Sequence, residues 1–391
     1  MSEVQAGKEF HCPSCGSEAH WNPAKQALAC DYCGTVSPMP EEATAPTKGI
    51  ERDLLEALRA VGDDQRGWEN DRVSVKCQSC QAITVFEPSH AAKRCDFCGS
   101  ASIIPVEQQT RPIRPEALLE FKTPETTIRE TIRQWYGSRW FAPSNLGTKA
   151  MTDTVKGIYV PYWTFDANVS ADWSAMSGDH YWESESYTDS EGKTQTRQVQ
   201  KTRWYPSSGH VDHFFDDELV PATKGVQPAL LRRVEPFPST TDLKPYSAGF
   251  ISGWTVEQYQ IDLFAAAKAA RAQMDAKTER LCAAQVPGDT HRDLSVDANY
   301  SNQTFKHILV PVWMLAYTYR SQTYQVVVNG YTGTIAGQYP KSWGKIALLI
   351  LAILAVIGLI AWGVNRNSHR GSSNSNIPDS SRSIPGSYRI H

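Results

Sequence analysis

Hydrophobic and polar positions alternate in three different ways along this chain, and the plainest of them lies near its C-terminus. The run IALLILAILAVIGLIAWGV, Ile346–Val364, holds nineteen residues without a charge. As a helix it spans about 28 Å at 1.5 Å per residue, close to the roughly 30 Å hydrocarbon core of a bilayer. Trp343 and Trp362 stand near its ends, where indole rings favour the headgroup interface. A helix apolar on every face does not suit a globular surface. The pattern predicts a transmembrane helix over 341–364 and a disordered, Ser/Gly-rich polar tail over 365–391.

The other two patterns have periods of 3.6 and 2. After the Pro-rich spacer TVSPMPEEATAPTKG, the segment IERDLLEALRAVG places Ile50, Leu54, Leu55, Leu58 and Val61 on one helical stripe, so 37–72 reads as a linker with an amphipathic helix. From Ile103 to Tyr339 helical and strand patterns mix without a βαβ rhythm, which predicts an α+β domain over 105–340. Thr123 and Pro124 read as an N-cap and first-turn proline for a helix that stops near Gly137. Thr255 reads as the cap of a helix ended by Pro287 and Gly288, roughly 45 Å long. Two strand phrases, KGIYVPYW from Lys156 and KHILVPVW from Lys306, share five residues, and their Pro161 and Pro311 predict an edge or a bulge. Duplicated β-units and a chance likeness both fit. YQVVVNGYTGTIAG predicts a hairpin, and the polar stretch from His180 a longer two-stranded ribbon turning at Asp189 to Gly192 and projecting into solvent.

Cysteine placement changes the picture at the N-terminus. Eight of the nine cysteines fall into four CxxC pairs: Cys12, Cys15, Cys30 and Cys33 form one set, and Cys77, Cys80, Cys95 and Cys98 a second with the same spacing. A CxxC pair does not easily close a strain-free disulfide, whereas two pairs together give a tetrahedral thiolate site suited to Zn2+. The repeat extends past the ligands. Trp21 matches Phe86, Pro23 matches Pro88, and each set ends in an aromatic turn, CDYCG or CDFCG, closed by Gly34 or Gly99. Two small zinc ribbons are expected, at 8–36 and 73–104. Modules this small fold only with their metal, whose apparent binding contributes on the order of 10 to 16 kcal/mol in comparable peptides. Four thiolates complete a zinc shell, so the expected cofactor is two structural Zn2+ ions, one per ribbon, with no catalytic residue. Zinc thiolates persist in a reducing compartment, and MSEVQAGKEFHC lacks the basic and apolar run of a secretory signal. The N-terminal bulk is therefore expected in the cytoplasm. Cys282, alone on the long helix, reads as a buried small apolar side chain.

Charge and motifs mainly remove functions. Lys and Arg number 39 against 42 Asp and Glu in 391 residues, a net charge of -3 that supplies no pull toward a polyanion. Lys25 stands with Glu18 and Asp31, and Lys76, Lys93 and Arg94 with Glu87 and Asp96, so neither ribbon carries a dense basic stripe. Protein docking is the favoured use of the ribbon surfaces over nucleic acid. No P-loop, GxGxxG, HExxH or GxSxG sequence occurs, which removes the warrant for nucleotide motors, dinucleotide enzymes and common hydrolases. The segment HVDHFFDDE, with His210, Asp212, His213, Asp216 and Asp217, invites a metal site. In an extended strand, however, His210 and His213 face opposite ways, and the segment reads as a solvated strand end.

Two ribbons, the phrases GIYVPYWTFDA and HILVPVWMLAYTY, then VNGYTGTIAGQYPKSW before one apolar helix: in this layout the chain resembles a bacterial double-zinc-ribbon, single-transmembrane-helix family. Its members are often labelled as similar to the zinc ribbon of transcription factor B or to the primosomal replication helicase. The helicase likeness extends only to cysteine pairs. The resemblance implies that the same eight cysteines are ligands, and it implies association with phage-shock-protein-A-like and SPFH or flotillin-like membrane-stress proteins. The expectation is a non-enzymatic adaptor or scaffold of the bacterial inner membrane, with its bulk cytoplasmic, its tail outside, and the bilayer and protein partners as its ligands. A membrane-tethered nucleic-acid binder without helicase activity is the alternative. Lys341 and Lys345 before the helix nearly balance Arg366, Arg370 and Arg382 after it, so the orientation rests on the zinc thiolates and the chain's beginning.

Overall fold

A computed structural model describes residues 10–39, 41–45, 47, 49–59, 73–86, 94–105, 113–143, 155–188, 190, 192–320 and 322–370. Val61, Glu87, Pro88, Lys93, Asp189 and the tail from 371, all named above, lie outside them. Two units separate: 1–138 with 145–339, and 139–144 with 340–391.

The first unit begins with a three-stranded sheet of β1 (Ala19–Asn22), β2 (Ala27–Cys30) and β3 (Val36–Ser37). There follow β4 (Arg52–Asp53), α1 (Leu54–Arg59), β5 (Val73–Cys77), β6 (Ile83–Phe86), β7 (Ile103–Pro105), β8 (Ala117–Leu118) and α2 (Glu125–Gly137). Two long strands come next, β9 (Lys156–Thr188) and β10 (Thr194–Pro221), then α3 (Pro228–Val234), β11 (Lys244–Pro245), β12 (Thr255–Glu257) and α4 (Leu263–Gln285). The unit closes with β13 (Thr290–Tyr319), β14 (Gln322–Asn329) and β15 (Ile335–Gly337). Its large mixed sheet runs β11-β8-β13-β9-β12-β6-β5-β7, with β10 on β9, β14 on β13 and β4 on β13. The molecule is thus α+β, and richer in strand than the sequence pattern suggests.

Period-two alternation explains the long strands. Along β9, Trp163, Phe165, Ala167, Val169, Ala171 and Trp173 are buried while Ser170, Asp172 and Ser174 are exposed. The apolar face receives α4 through Ala266, Ala270, Met274 and Cys282. Cys282 is a buried core side chain, and burial raises its thiol pKa, which leaves it unreactive. Beyond Gly178 the partner β13 ends, and β9 and β10 continue as a two-stranded arm from Asp179 to its turn.

The phrases KGIYVPYW and KHILVPVW lie side by side. Val160 pairs with Val310, Pro161 with Leu309 and Tyr159 with Pro311, so a local two-fold axis passes between the two valines. The strands themselves lie 150 residues apart, and their surroundings repeat around that axis. Strand β12 joins β9 in parallel at Ile158 and Tyr159, as β8 joins β13 at Ile308 and Leu309. The carbonyl of Pro161 accepts from the Ala222 N–H at 2.9 Å, and that of Pro311 from the Gly330 N–H at 2.8 Å. Trp163 packs on Tyr259 and Trp313 on Phe121, each indole donating to a backbone carbonyl at 2.9 Å. Each half is a short strand, a helix and an antiparallel hairpin.

Four local readings are corrected. Neither proline sits at an edge or a bulge: both lie in buried central strands, their missing N–H groups tolerated, while the register shifts occur at Phe215/Glu218, Arg292/Ser295 and Ser301/Thr304. Thr255 starts strand β12, and the long helix begins only at Leu263, where the Asp262 carboxylate accepts from the Ala265 N–H at 2.8 Å. At 23 residues, α4 is shorter than the sequence pattern implied. Likewise α1 starts at Leu54 because Asp53 accepts from the Glu56 N–H at 2.7 Å, so Ile50 is exposed and off the helix. The Thr123 and Pro124 reading shifts by one residue, with Pro124 as the N-cap.

The second unit carries α5 (Trp343–Arg370). Its residues Trp343–Trp362 are long and apolar enough to cross a membrane, and none is buried against protein. The Ser342 N–H donates to the Phe141 carbonyl at 2.8 Å, and Lys345 Nζ to the Ala142 carbonyl at 2.8 Å, so the short 139–144 segment anchors the helix start. Helical backbone continues to Arg370, past the Val364 end expected from hydropathy.

Candidate metal centres

The eight paired cysteines come together as two sets of four, the ligand atoms of each within 4.8 Å of one another. In the first, Cys12 Sγ lies 3.4 Å from Cys33 Sγ and Cys15 Sγ 3.6 Å from Cys30 Sγ. In the second, the Cys77–Cys98 and Cys80–Cys95 separations are both 3.6 Å. A zinc–sulfur bond of about 2.3 Å in a tetrahedron sets sulfur atoms about 3.8 Å apart. Both sets therefore fit a tetrahedral thiolate metal, and the soft, all-sulfur donor set suits Zn2+.

The backbone repeats along with the ligands. In the first ribbon the Gly16 N–H donates to the Cys12 carbonyl and the Gly34 N–H to the Cys30 carbonyl, both at 2.9 Å; in the second, Gln81 and Gly99 do the same to Cys77 and Cys95 at 2.9 Å. All four donors have positive φ, 73° and 76° in the first ribbon, 67° and 72° in the second. That conformation turns the amide groups of each tight turn inward, which favours negative charge on the sulfurs. Hydrogen bonds from Cys80 and Cys95 draw the Cys98 thiol down to about 2, while the contact with Cys95 pushes Cys80 up. Four thiols this close cannot keep equal protons, and a divalent cation releases the competition.

Their settings differ. The first ribbon keeps its own small sheet and docks through Trp21, whose ring lies 4.8 Å from Phe250 and whose Nε1 donates to the Phe121 carbonyl at 3.2 Å. Trp254 Nε1 returns a bond to the Trp21 carbonyl at 3.2 Å, and Ser252 Oγ donates to the Ala19 carbonyl at 3.0 Å. Its Cys15 and Cys33 are exposed. The second ribbon is part of the main sheet: Thr84 and Val85 of β6 pair with Glu257 and Val256 of β12. Cys77 and Cys95 belong to the body's core, with Cys80 and Cys98 packed against it. Sequence spacing found the two four-cysteine clusters and could not reveal this difference.

A third acidic group forms where β10 bulges. Asp217, at φ 54°, donates its N–H to Asp166 Oδ1 at 2.6 Å, and Asp216 lies beside them. Burial pushes Asp166 up to about 6. The cation here is the chain's own: Lys306, 2% exposed, places Nζ 2.8 Å from Asp217 Oδ1. Burial pulls its pKa down, but the hydrogen bond and charge of Asp217 outweigh that and raise it, so the ammonium persists. The rest of HVDHFFDDE is elsewhere. His210 sits on the outer sheet face between Asp172 at 2.7 Å and Asp212 at 3.1 Å, which raise its pKa, while His213 packs edge-on against Phe215. Asp166 and Lys306 escaped the sequence reading because each interrupts an apolar strand far from Asp217, leaving no local spacing to notice.

The chain is 23% identical over 351 residues to an uncharacterized Bacillus subtilis (strain 168) protein, YdjG, a match covering 86% of this chain and 92% of that protein. No protein-family model matches it, and no solved structure does.

Proposed function

We propose that this chain is a non-enzymatic, membrane-anchored adaptor whose zinc-stiffened ribbons hold protein partners at a bilayer. The carrying observation is the pair of complete four-cysteine clusters, since a catalytic zinc needs an open coordination position and neither cluster offers one. The exposed apolar helix supports the anchor, because the uncharged stretch from Ile346 to Trp362, none of it buried against protein, needs a hydrocarbon surrounding. Anchoring raises the local concentration of whatever the ribbons hold, so modest contacts suffice. The bulk is assigned to the cytoplasm on the stability of zinc thiolates there. Membrane-stress proteins of the phage-shock-protein-A-like and SPFH kinds are the partner class that the family resemblance supplies.

The full chain in detergent is expected to carry two zinc ions and to retain a partner that the Cys12→Ser, Cys15→Ser variant loses. The first ribbon is the proper lever: Cys77 and Cys95 are core residues whose loss would disturb the body itself. A partner set unchanged in that variant, or steeply salt-sensitive nucleic-acid binding by the wild type, overturns the reading.

A further inference from the structure

The second ribbon shows what the closing turn of such a module is shaped to meet. Phe97 of CDFCG is 0% exposed, seated against Ala82 and Gly225 in the cluster of Val226 and Leu230. A Cβ on Gly225 would stand 2.6 Å from its ring, so the seat is closely fitted. Gln325 Nε2 donates to the Phe97 carbonyl at 3.0 Å. Asp96, one residue earlier, takes the Lys156 ammonium in an ion pair and the Thr255 hydroxyl at 3.0 Å. An aromatic ring enters an apolar pocket, and the neighbouring carboxylate meets a lysine at its rim.

The first ribbon repeats the turn as Asp31–Tyr32, with the same backbone bonds and the same positive φ at the closing glycine. Among the described residues nothing receives it. Tyr32 is 84% exposed, Asp31 is exposed, and Cys15, Cys33 and Val36 beside them are exposed as well. Among the described residues no ion pair reaches Asp31. The ribbon is fastened to the body by Trp21 and Ala19, so its closing turn is free of that duty.

We propose that the Asp31–Tyr32 turn docks into a separate protein whose surface offers an apolar pocket for the tyrosine ring with a lysine or arginine at its rim. This rests on the adaptor reading and names the surface that performs it. Charge complementarity sets the partner's chemistry, since among the described residues Asp31 lacks the cation that Asp96 has. A second copy of the chain does not serve, because its matching seat is already filled by its own Phe97. Tyrosine in place of phenylalanine suits a site that is wet when open, with the ring buried and the hydroxyl at the rim.

The test puts a photo-crosslinking amino acid at Tyr32 of the full chain in cells, with the same probe at exposed Tyr187 as control, and identifies the adduct by mass spectrometry. The expected result is a heterologous protein crosslinked from position 32 only, at an apolar pocket beside a Lys or Arg. With that protein purified, Asp31→Lys or Tyr32→Ala weakens binding roughly tenfold or more, while both zinc ions stay bound. Reversing the partner's cation to Glu then restores binding to the Asp31→Lys chain. No adduct, an adduct with a second copy, or an affinity insensitive to Asp31→Lys overturns the proposal. If a partner is lost in the Cys12→Ser, Cys15→Ser variant yet kept by Asp31→Lys and Tyr32→Ala, the docking turn fails and the adaptor reading stands. If it is kept in all three, both fail.

Discussion

Asp217 and Lys306 have each other at the centre of the sheet, and their pairing governs how that region answers to substitution. Lys306→Met leaves Asp217 and Asp166 facing one another in a dry setting. We expect it to lower stability by about 3–5 kcal/mol, read from thermal unfolding of the detergent-solubilised chain. Adding Asp217→Asn should recover most of the loss, and a double variant as weak as the single one would show that the lysine stem, not its charge, matters. Glu257 makes a pH-dependent contribution. It is fully buried, accepting from Thr223 at 2.7 Å and Gln260 at 2.9 Å, and burial raises its pKa to about 7. The folded state therefore holds a proton that the unfolded state, with a carboxyl near 4.3, gives up. Its contribution to stability is accordingly unaffected below about pH 4 and turns increasingly unfavourable as pH rises from there to about 7. Glu257→Gln should raise stability at pH 8 by on the order of 3 kcal/mol, read as a higher melting temperature, and leave it unchanged near pH 4. An equal effect at both pH values would assign the gain to packing instead.

The two ribbons have one ligand chemistry and two settings, and they should part company under chelation. With Cys15 and Cys33 exposed, the first ribbon's zinc is expected to leave quickly to an excess of chelator, with a change in fluorescence as Trp21 loses its seat. The second zinc should leave only as the body unfolds, because its ligands are core residues. Colorimetric release giving one fast and one slow equivalent checks this, and a single rate for both would contradict it. The two four-cysteine clusters were legible because each is local: its spacing is written within about two dozen residues. The β14–β15 hairpin and α2 were legible for the same reason. Burial of Phe97 was not, since its seat comes from Ala82, Gly225 and the distant Gln325, and no local period records such a meeting. The start of α4 was misread because Thr255 offers a plausible cap, and only the pairing of Val256 with Val85 and Tyr159 holds that stretch extended. The offset between KGIYVPYW and KHILVPVW was visible as a likeness, while its meaning as a two-fold axis needed the pairing of Val160 with Val310.

At the scale of the whole molecule, the anchor and the body answer separate tests. Leu351 and Leu354 lie in the apolar stretch of α5, both exposed. Replacing both by Arg costs about 2.5–3.5 kcal/mol per site on an insertion scale. We expect the variant chain to be released from membranes by alkaline carbonate while still binding two zinc ions, and continued pelleting would mean that another surface holds it there. The arm of β9 and β10 has a different consequence. Among the described residues its outer strands pair only with each other, yet their inner ends are built into the core with β13 and α4. A brief trypsin treatment should cut near Lys193 or Arg197 and give two pieces on a denaturing gel that migrate together under native conditions. Covalent continuity between the halves is dispensable once folding is complete, so the chain could be opened there, or made to display a guest peptide, without losing its architecture.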